Sequence, residues 1–211
     1  MENMENKALA EIIAVDADEQ LKCRRMTFIE LPKKAQAVHD TVYTKIQKLW
    51  GKNVGGIVVP KTRVLIDPKS HAVGYLLPKE SYSNCIPEKF DVIVDYMTGK
   101  LKESSKDLQV FRELNEGTRV EPEDYLEYVL AHEYGHITEF KTFGKLPDML
   151  RHNRMAVSEA FAHWFGELIT GFKAFTEQIA VSYEDIGVNS AVMVEAYKQL
   201  QKKCRSDCNK R

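Results

Sequence analysis

The chain lacks any apolar run near the roughly 20 residues that a membrane-spanning helix needs. Its opening, from Met1 to Lys7, is polar and acidic and has neither the basic start nor the apolar core of a secretion signal. A cytoplasmic protein is expected. Cysteine is scarce: Cys23, Cys85, Cys204 and Cys208 do not form a disulfide-framework spacing, so free thiols are expected. Strong charge of either sign is missing as well. A formal net charge of −1 gives no general attraction to nucleic acid or to an acidic membrane. The short basic clusters at Lys22 to Arg25 and Lys198 to Arg211 read as solvated faces or tails, so neither partner is expected. Internal repeats and low-complexity linkers are absent too, which leaves residues 1–211 as one domain.

What is present is a change of periodicity along the chain. Residues 1–51 read as an N-terminal helical arm. Within it, residues 5–23 carry a broken apolar stripe, and residues 32–50 repeat Ala35, Val38, Val42, Ile46 and Leu49 at helical spacing between Pro32 and Gly51. Residues 52–97 hold short apolar runs, mostly β-branched, Ile57-Val58-Val59, Val64-Leu65-Ile66, Tyr75-Leu76-Leu77 and Val92-Ile93-Val94, expected to form a small, mainly antiparallel sheet. Residues 98–118 are polar, contain Gly99 and Gly117, and read as a loop. Residues 121–203 are expected to be helical, with helices from 121, over 148–170 up to Gly171, near 172–182 and over 189–203. Pro122 suits a first helical position, and Glu121, Glu123 and Asp124 suit the positive end of the helix dipole. The expected class is α+β.

The helix that begins at Pro122 carries His132-Glu133-Tyr134-Gly135-His136. Two histidines at i and i+4 share one helix face and can reach one ion, while the glutamate between them is rotated by about 100° and is left free to act as a base. This H-E-x-x-H spacing points to Zn2+ and to a water-activating Glu133. A catalytic zinc takes a third protein ligand. A metzincin continuation would place glycine at 139 and histidine at 142, where this chain has Glu139 and Thr142. Glu159 lies on the next helix in Ser158-Glu159-Ala160-Phe161-Ala162-His163-Trp164-Phe165. A turn through Lys145-Leu146-Pro147 lets that helix run back and face the two imidazoles with Glu159.

These two motifs resemble those of the gluzincin zinc metallopeptidases, and in particular the lethal-factor-like metallopeptidases of bacterial toxins and phages. The resemblance covers residues 130–165 and implies a zincin-like fold. It also implies His132, His136 and Glu159 as metal ligands, Glu133 as general base and a peptide or protein substrate. Such peptidases commonly bind substrate along a sheet edge. The chain departs from the pattern twice: His163 stands where many gluzincins have an acid, and His152 stands where the lethal-factor-like group has a tyrosine that supports the oxyanion. His152, with Arg154 near it, is therefore the candidate for that role.

Two other functions fit the same residues. One is a peptidase-like metal-binding module with a structural or partner-binding role in a phage or mobile element. The other is a deformylase-type amide hydrolase with Cys85 as third ligand. His163 is a candidate partner of Glu159 or an alternative ligand. Tyr134, Phe140, Phe161, Trp164 and Phe165 are expected in the core, and His39 and His71 are expected to be structural or exposed.

Overall fold

Ala35, His39, Val42 and Ile46 recur at helical spacing, and all four are buried on one face of helix α1 (Lys33–Leu49), which starts directly after Pro32. A computed structural model of the chain describes residues 29–50, 59, 61–66, 74–78, 90–94, 105–143 and 153–208. These residues are mostly helical. After α1 come α2 (Lys106–Leu114), α3 (Pro122–Phe143), α4 (Arg154–Thr170), α5 (Glu177–Ser182), a 3₁₀ turn (Tyr183–Ile186) and α6 (Ser190–Cys208). No helix among the described residues is long and apolar enough to cross a membrane.

Among the described residues four short strands accompany the helices: β1 (Ile29–Glu30), β2 (Arg63–Ile66), β3 (Gly74–Pro78) and β4 (Phe90–Val94), in the order β1-β2-β4-β3. β1 pairs antiparallel with β2 and β3 antiparallel with β4, but β2 and β4 run parallel, with Val64 opposite Val92. Two of the three described pairings are antiparallel and one is parallel, so the sheet is mainly antiparallel. The parallel pair has a topological cause: β3 pairs with the outer side of β4, so β4 returns beside β2 in β2's own direction. β3 and β4 also pack against α3.

Two expectations change. The polar stretch 98–118 is not all loop, because residues 106–114 form α2. Ser105 caps it by accepting a hydrogen bond from the Leu108 amide at 3.1 Å, and Leu108 and Phe111 bury its inner face. Phe111 packs at a tilt against Tyr125, Tyr128 and Phe172, with ring centroids at 5.0, 5.4 and 5.4 Å. The helix expected over 172–182 is shorter, starting at Glu177 after Thr176 caps the Ile179 amide. The reading of residues 5–23 as helix lies outside the described residues.

The core is built around α4. Ala156, Ala160, Phe161, Ala162, His163, Phe165, Gly166 and Ile169 are all buried, which leaves this helix almost no outer face. It packs along α3, and α1 and α6 also pack against it. Two glycines make the α3–α4 contact close. A Cβ on Gly135 would stand 2.7 Å from the Ala162 Cα, and one on Gly166 would stand 2.9 Å from the Tyr128 ring. Gly135 opposite Ala162 and Tyr128 opposite Gly166 also fix the two helices as antiparallel. The last turn of α4 ends at Gly171, whose φ of 82° is the left-handed conformation that glycine adopts at least cost. Of the aromatic residues expected inside, Tyr134, Phe161 and Phe165 are buried and Trp164 is half-buried.

Candidate metal centre

The face of α3 that meets α4 carries Tyr128, His132, His136 and Glu139, one helical turn after another. The facing residues of α4 are Ser158, Glu159, His163 and Gly166. Because the two helices are antiparallel and in close contact, the Glu159 carboxylate falls between the two imidazoles of the H-E-x-x-H motif. His132 Nε2 stands 3.4 Å from Glu159 Oε2, and His136 Nε2 stands 3.5 Å from Glu159 Oε1.

Both separations are longer than a good hydrogen bond. They match the spacing of two ligands on one ion: with bonds of about 2.0–2.1 Å, ligand atoms on a tetrahedral zinc stand about 3.4 Å apart. His132 Nδ1 is buried and has no hydrogen-bond partner among the described residues; since Nε2 is the atom that faces Glu159, this ring lacks the outer partner that His136 has in Ser158. Two neutral imidazole nitrogens and a carboxylate are donor types that zinc takes, so the donor set suits a divalent ion of this kind.

A fourth donor lies close by. His132, Glu159 and His163 each offer a ligand atom, and these atoms lie within 4.8 Å of one another. This mutually close group contains His163 and not His136, whose Nε2 approaches the other oxygen of Glu159. The hydrogen bonds separate the two. His136 Nδ1 is 3.0 Å from the Ser158 hydroxyl, which donates to the Glu139 carboxylate. Because that hydroxyl proton is committed to Glu139, its oxygen accepts from His136 Nδ1–H. The His136 lone pair is then on Nε2, the atom that faces Glu159. Such outer partners are what orient a metal-binding histidine. His163, by contrast, has a tyrosine hydroxyl at each nitrogen: Tyr128 at 2.5 Å from Nδ1 and Tyr183 at 3.1 Å from Nε2.

Burial and mutual charge set the protonation states. Burial opposes charge on Glu159, but hydrogen bonding and charge from His132, aided by His136, outweigh it and bring its pKa to about 2. Burial likewise works against a charged His132, yet Glu159 beside it leaves its pKa raised overall. Burial lowers His136 to about 4 and holds His163 well below its usual range. Burial pushes Glu133 up to about 7, with His132 opposing and Glu159 assisting. Glu139 is raised by burial, against the pull of Ser158 and Arg154.

His152 and Cys85 lie outside the described residues, as does His71. His39, by contrast, is buried and structural: its Nε2 is 2.8 Å from the Tyr134 hydroxyl, which also receives the Thr62 amide at 3.1 Å. This ties α1 and the segment before β2 to the back of the motif helix. Ser158, Glu139 and Tyr183 were not among the candidates from sequence. Glu139 stands three residues after His136 on the same face, and Ser158 directly precedes Glu159, so both carried a positional signal. Tyr183 carried none.

Comparison with protein-family models, with curated protein sequences and with solved structures finds no match to this chain.

Proposed function

We propose that the chain is a zinc-dependent metallopeptidase of gluzincin type, with an α+β, zincin-like domain around the H-E-x-x-H helix. The observation that carries this reading is the placement of Glu159 at 3.4 and 3.5 Å from the two motif histidines, a ligand-to-ligand spacing. His132, His136 and Glu159 would hold the ion. When bound, zinc supplies a Lewis acid that polarises a carbonyl and acidifies water.

The chain's own residues do the rest. Glu133 is buried beside His132, and burial pushes its pKa up to about 7. A carboxylate so poised takes a proton from an attacking water and returns it to the leaving nitrogen at neutral pH. Ser158 and Glu139 hold the His136 ring in one orientation and one tautomer. β3 stands at the edge of the sheet as described and against α3, so its outer backbone offers a line on which a peptide substrate can add as a strand.

The deciding experiment pairs metal content with turnover. The expected results are about one zinc per chain in the wild type and retained zinc with lost peptide hydrolysis in Glu133→Gln. A folded wild-type chain that takes no zinc at neutral pH rejects the reading. Undiminished hydrolysis in Glu133→Gln removes Glu133 from the role of base.

A second reading is favoured by one observation, the presence of His163 in the same cluster. An ion held by His132, His136, Glu159 and His163 together would be closed, as structural zinc sites are. It predicts four protein ligands and no cleavage of a peptide library.

A further inference from the structure

The side chains of the metal centre are nearly shut off from solvent. His132, His136 and Glu159 are 11, 14 and 18% exposed, and Glu133 beside them is buried. An opening of that size passes water, but a polypeptide has to bring a whole carbonyl and its flanking chain to the site. Some element therefore has to move, and the elements around the site differ in what their movement would uncover.

Helix α4 is buried on nearly every side, and α6 seats Met193 and Tyr197 in the interior. The segment 177–187, made of α5, the 3₁₀ turn and Gly187, buries only Ala180, in a small cluster with Ala156, Ala160 and Met193. Ile179 and Tyr183 are half-buried and its other residues are exposed, Val181 and Ile186 at 55 and 63%. The segment packs chiefly on α6, with an exposed ion pair of Glu177 and Lys198 at 2.9 Å and a hydrogen bond from Ser190 to Glu184. Both of its ends are defined. Before it the chain is pinned: the Glu167 carboxylate accepts from the Ala174 and Phe175 amides, each at 2.8 Å, and Asn115 accepts from the Lys173 amide at 2.8 Å. After it Gly187 takes a φ of 82° in open space, and Val188 is buried again.

Tyr183 joins this segment to the site. Its hydroxyl is 3.1 Å from His163 Nε2, its ring meets the His163 ring edge-on with centroids 5.7 Å apart, and His163 in turn lies against His132 at 4.6 Å. We propose that residues 177–187 form a strap latched over the metal centre by the Tyr183–His163 hydrogen bond. Release of the latch lets the strap swing about Thr176 and Gly187 and opens a path to His132 and Glu159, while α3, α4 and α6 stay folded. The movement uncovers little apolar surface and breaks few contacts, which is the condition for local opening well below the cost of global unfolding. Closure over a bound chain would then keep bulk water from the site. What the opening admits rests on the metallopeptidase reading above; the motion itself does not.

Hydrogen exchange followed by mass spectrometry on the metal-free chain tests the motion. Amides of 177–187 should exchange at least about 10-fold faster than those of α4. Tyr183→Phe keeps the ring and removes the latch, so strap exchange should quicken about 5-fold, the scale of one hydrogen bond, with α4 unchanged. Carbethoxylation of His163 by diethyl pyrocarbonate should rise by the same factor. A strap as slow as α4, or a Tyr183→Phe that speeds α4 as much as the strap, overturns the proposal. Unchanged exchange and labelling in Tyr183→Phe overturns the latch. On the zinc-loaded chain, 1,10-phenanthroline should strip the ion about 5-fold faster from Tyr183→Phe than from the wild type. If the wild type takes no zinc, the metal-centre reading fails and exchange alone decides for or against the strap. A zinc-binding wild type whose strap exchanges no faster than α4 sinks the strap alone.

Discussion

The two sides of Glu159 present the same chemical group in opposite conditions. On one side His136 is backed by Ser158 and, through it, by the Glu139 carboxylate, which leaves Nε2 open toward Glu159. On the other side His163 is held at both nitrogens by Tyr128 and Tyr183, stacks near Phe175 and meets the edge of His132 with ring centroids at 4.6 Å. Proximity groups His163, and not His136, with His132 and Glu159. The hydrogen-bond partners rank the two imidazoles the other way. A partner on the second nitrogen orients a ligand histidine, and Ser158 supplies one to His136, whereas the buried Nδ1 of His132 has none.

The largest expected effect breaks that comparison directly. His136→Gln should lower zinc affinity by more than about 100-fold, beyond what the loss of an outer partner costs, whereas His163→Gln should stay within about 10-fold of the wild type. Chelator competition on the two variants side by side measures it, and the reverse ranking would make His163 the ligand.

Next comes the contact that brings both sides to Glu159. Gly135→Ala places a methyl group 2.7 Å from the Ala162 Cα, so the α3–α4 pair has to open. A loss of about 1–3 kcal/mol in denaturant unfolding is expected, the range for an overpacked core. Unchanged stability would mean that the helices separate at little cost.

A smaller effect tests the polar side alone. Ser158→Ala leaves His136 Nδ1–H without its acceptor and should weaken zinc binding about 10-fold, with Glu139→Gln weaker than that because the serine remains. Equal zinc affinity in wild type and Ser158→Ala would show that the relay does not orient His136.

The smallest effect uses His39, a third buried imidazole that also meets a tyrosine hydroxyl but lies away from Glu159. Burial first, then the Lys61 charge, lowers its pKa from 6.5 to about 4, with Asp40 opposing. The unfolded chain therefore takes up a proton below pH 6.5 that the folded chain refuses. Stability contributed by neutral His39 is present above pH 6.5 and is lost as pH falls toward about 4. His39→Gln should flatten that part of a stability–pH curve. The same slope in both proteins would assign the pH dependence to other groups.

Legibility from sequence followed locality. The α1 stripe, the start of α3 at Pro122, the end of α4 at Gly171 and the runs that became β2, β3 and β4 were readable, because each depends on residues within a turn or two. Helix α2 was hidden inside a polar stretch bounded by Gly99 and Gly117. Its apolar face is only Leu108 and Phe111, too short a stripe to outweigh the loop composition. The parallel β2–β4 pairing was not readable either, since strand order depends on which edge the hairpin takes. Around the site, the proximity of Glu159 to both histidines followed from a helix–turn–helix spacing. The clamp on His163 did not, because Tyr183 arrives from a separate turn after α5.

By itself, then, the sequence determined a register: His132 and His136 on one helix face with Glu133 turned aside, because i and i+4 positions are fixed by helix geometry alone. Only the tertiary structure decided which atoms those side chains meet. Gly135 and Gly166 let α3 and α4 approach closely enough for Glu159 to stand between two imidazoles. That same approach hands His136 to a serine and a carboxylate and His163 to Tyr128, while Tyr183 reaches His163 from the 3₁₀ turn. Hydrogen-bond partners belong to the crossing of two helices, and no spacing within either one encodes them.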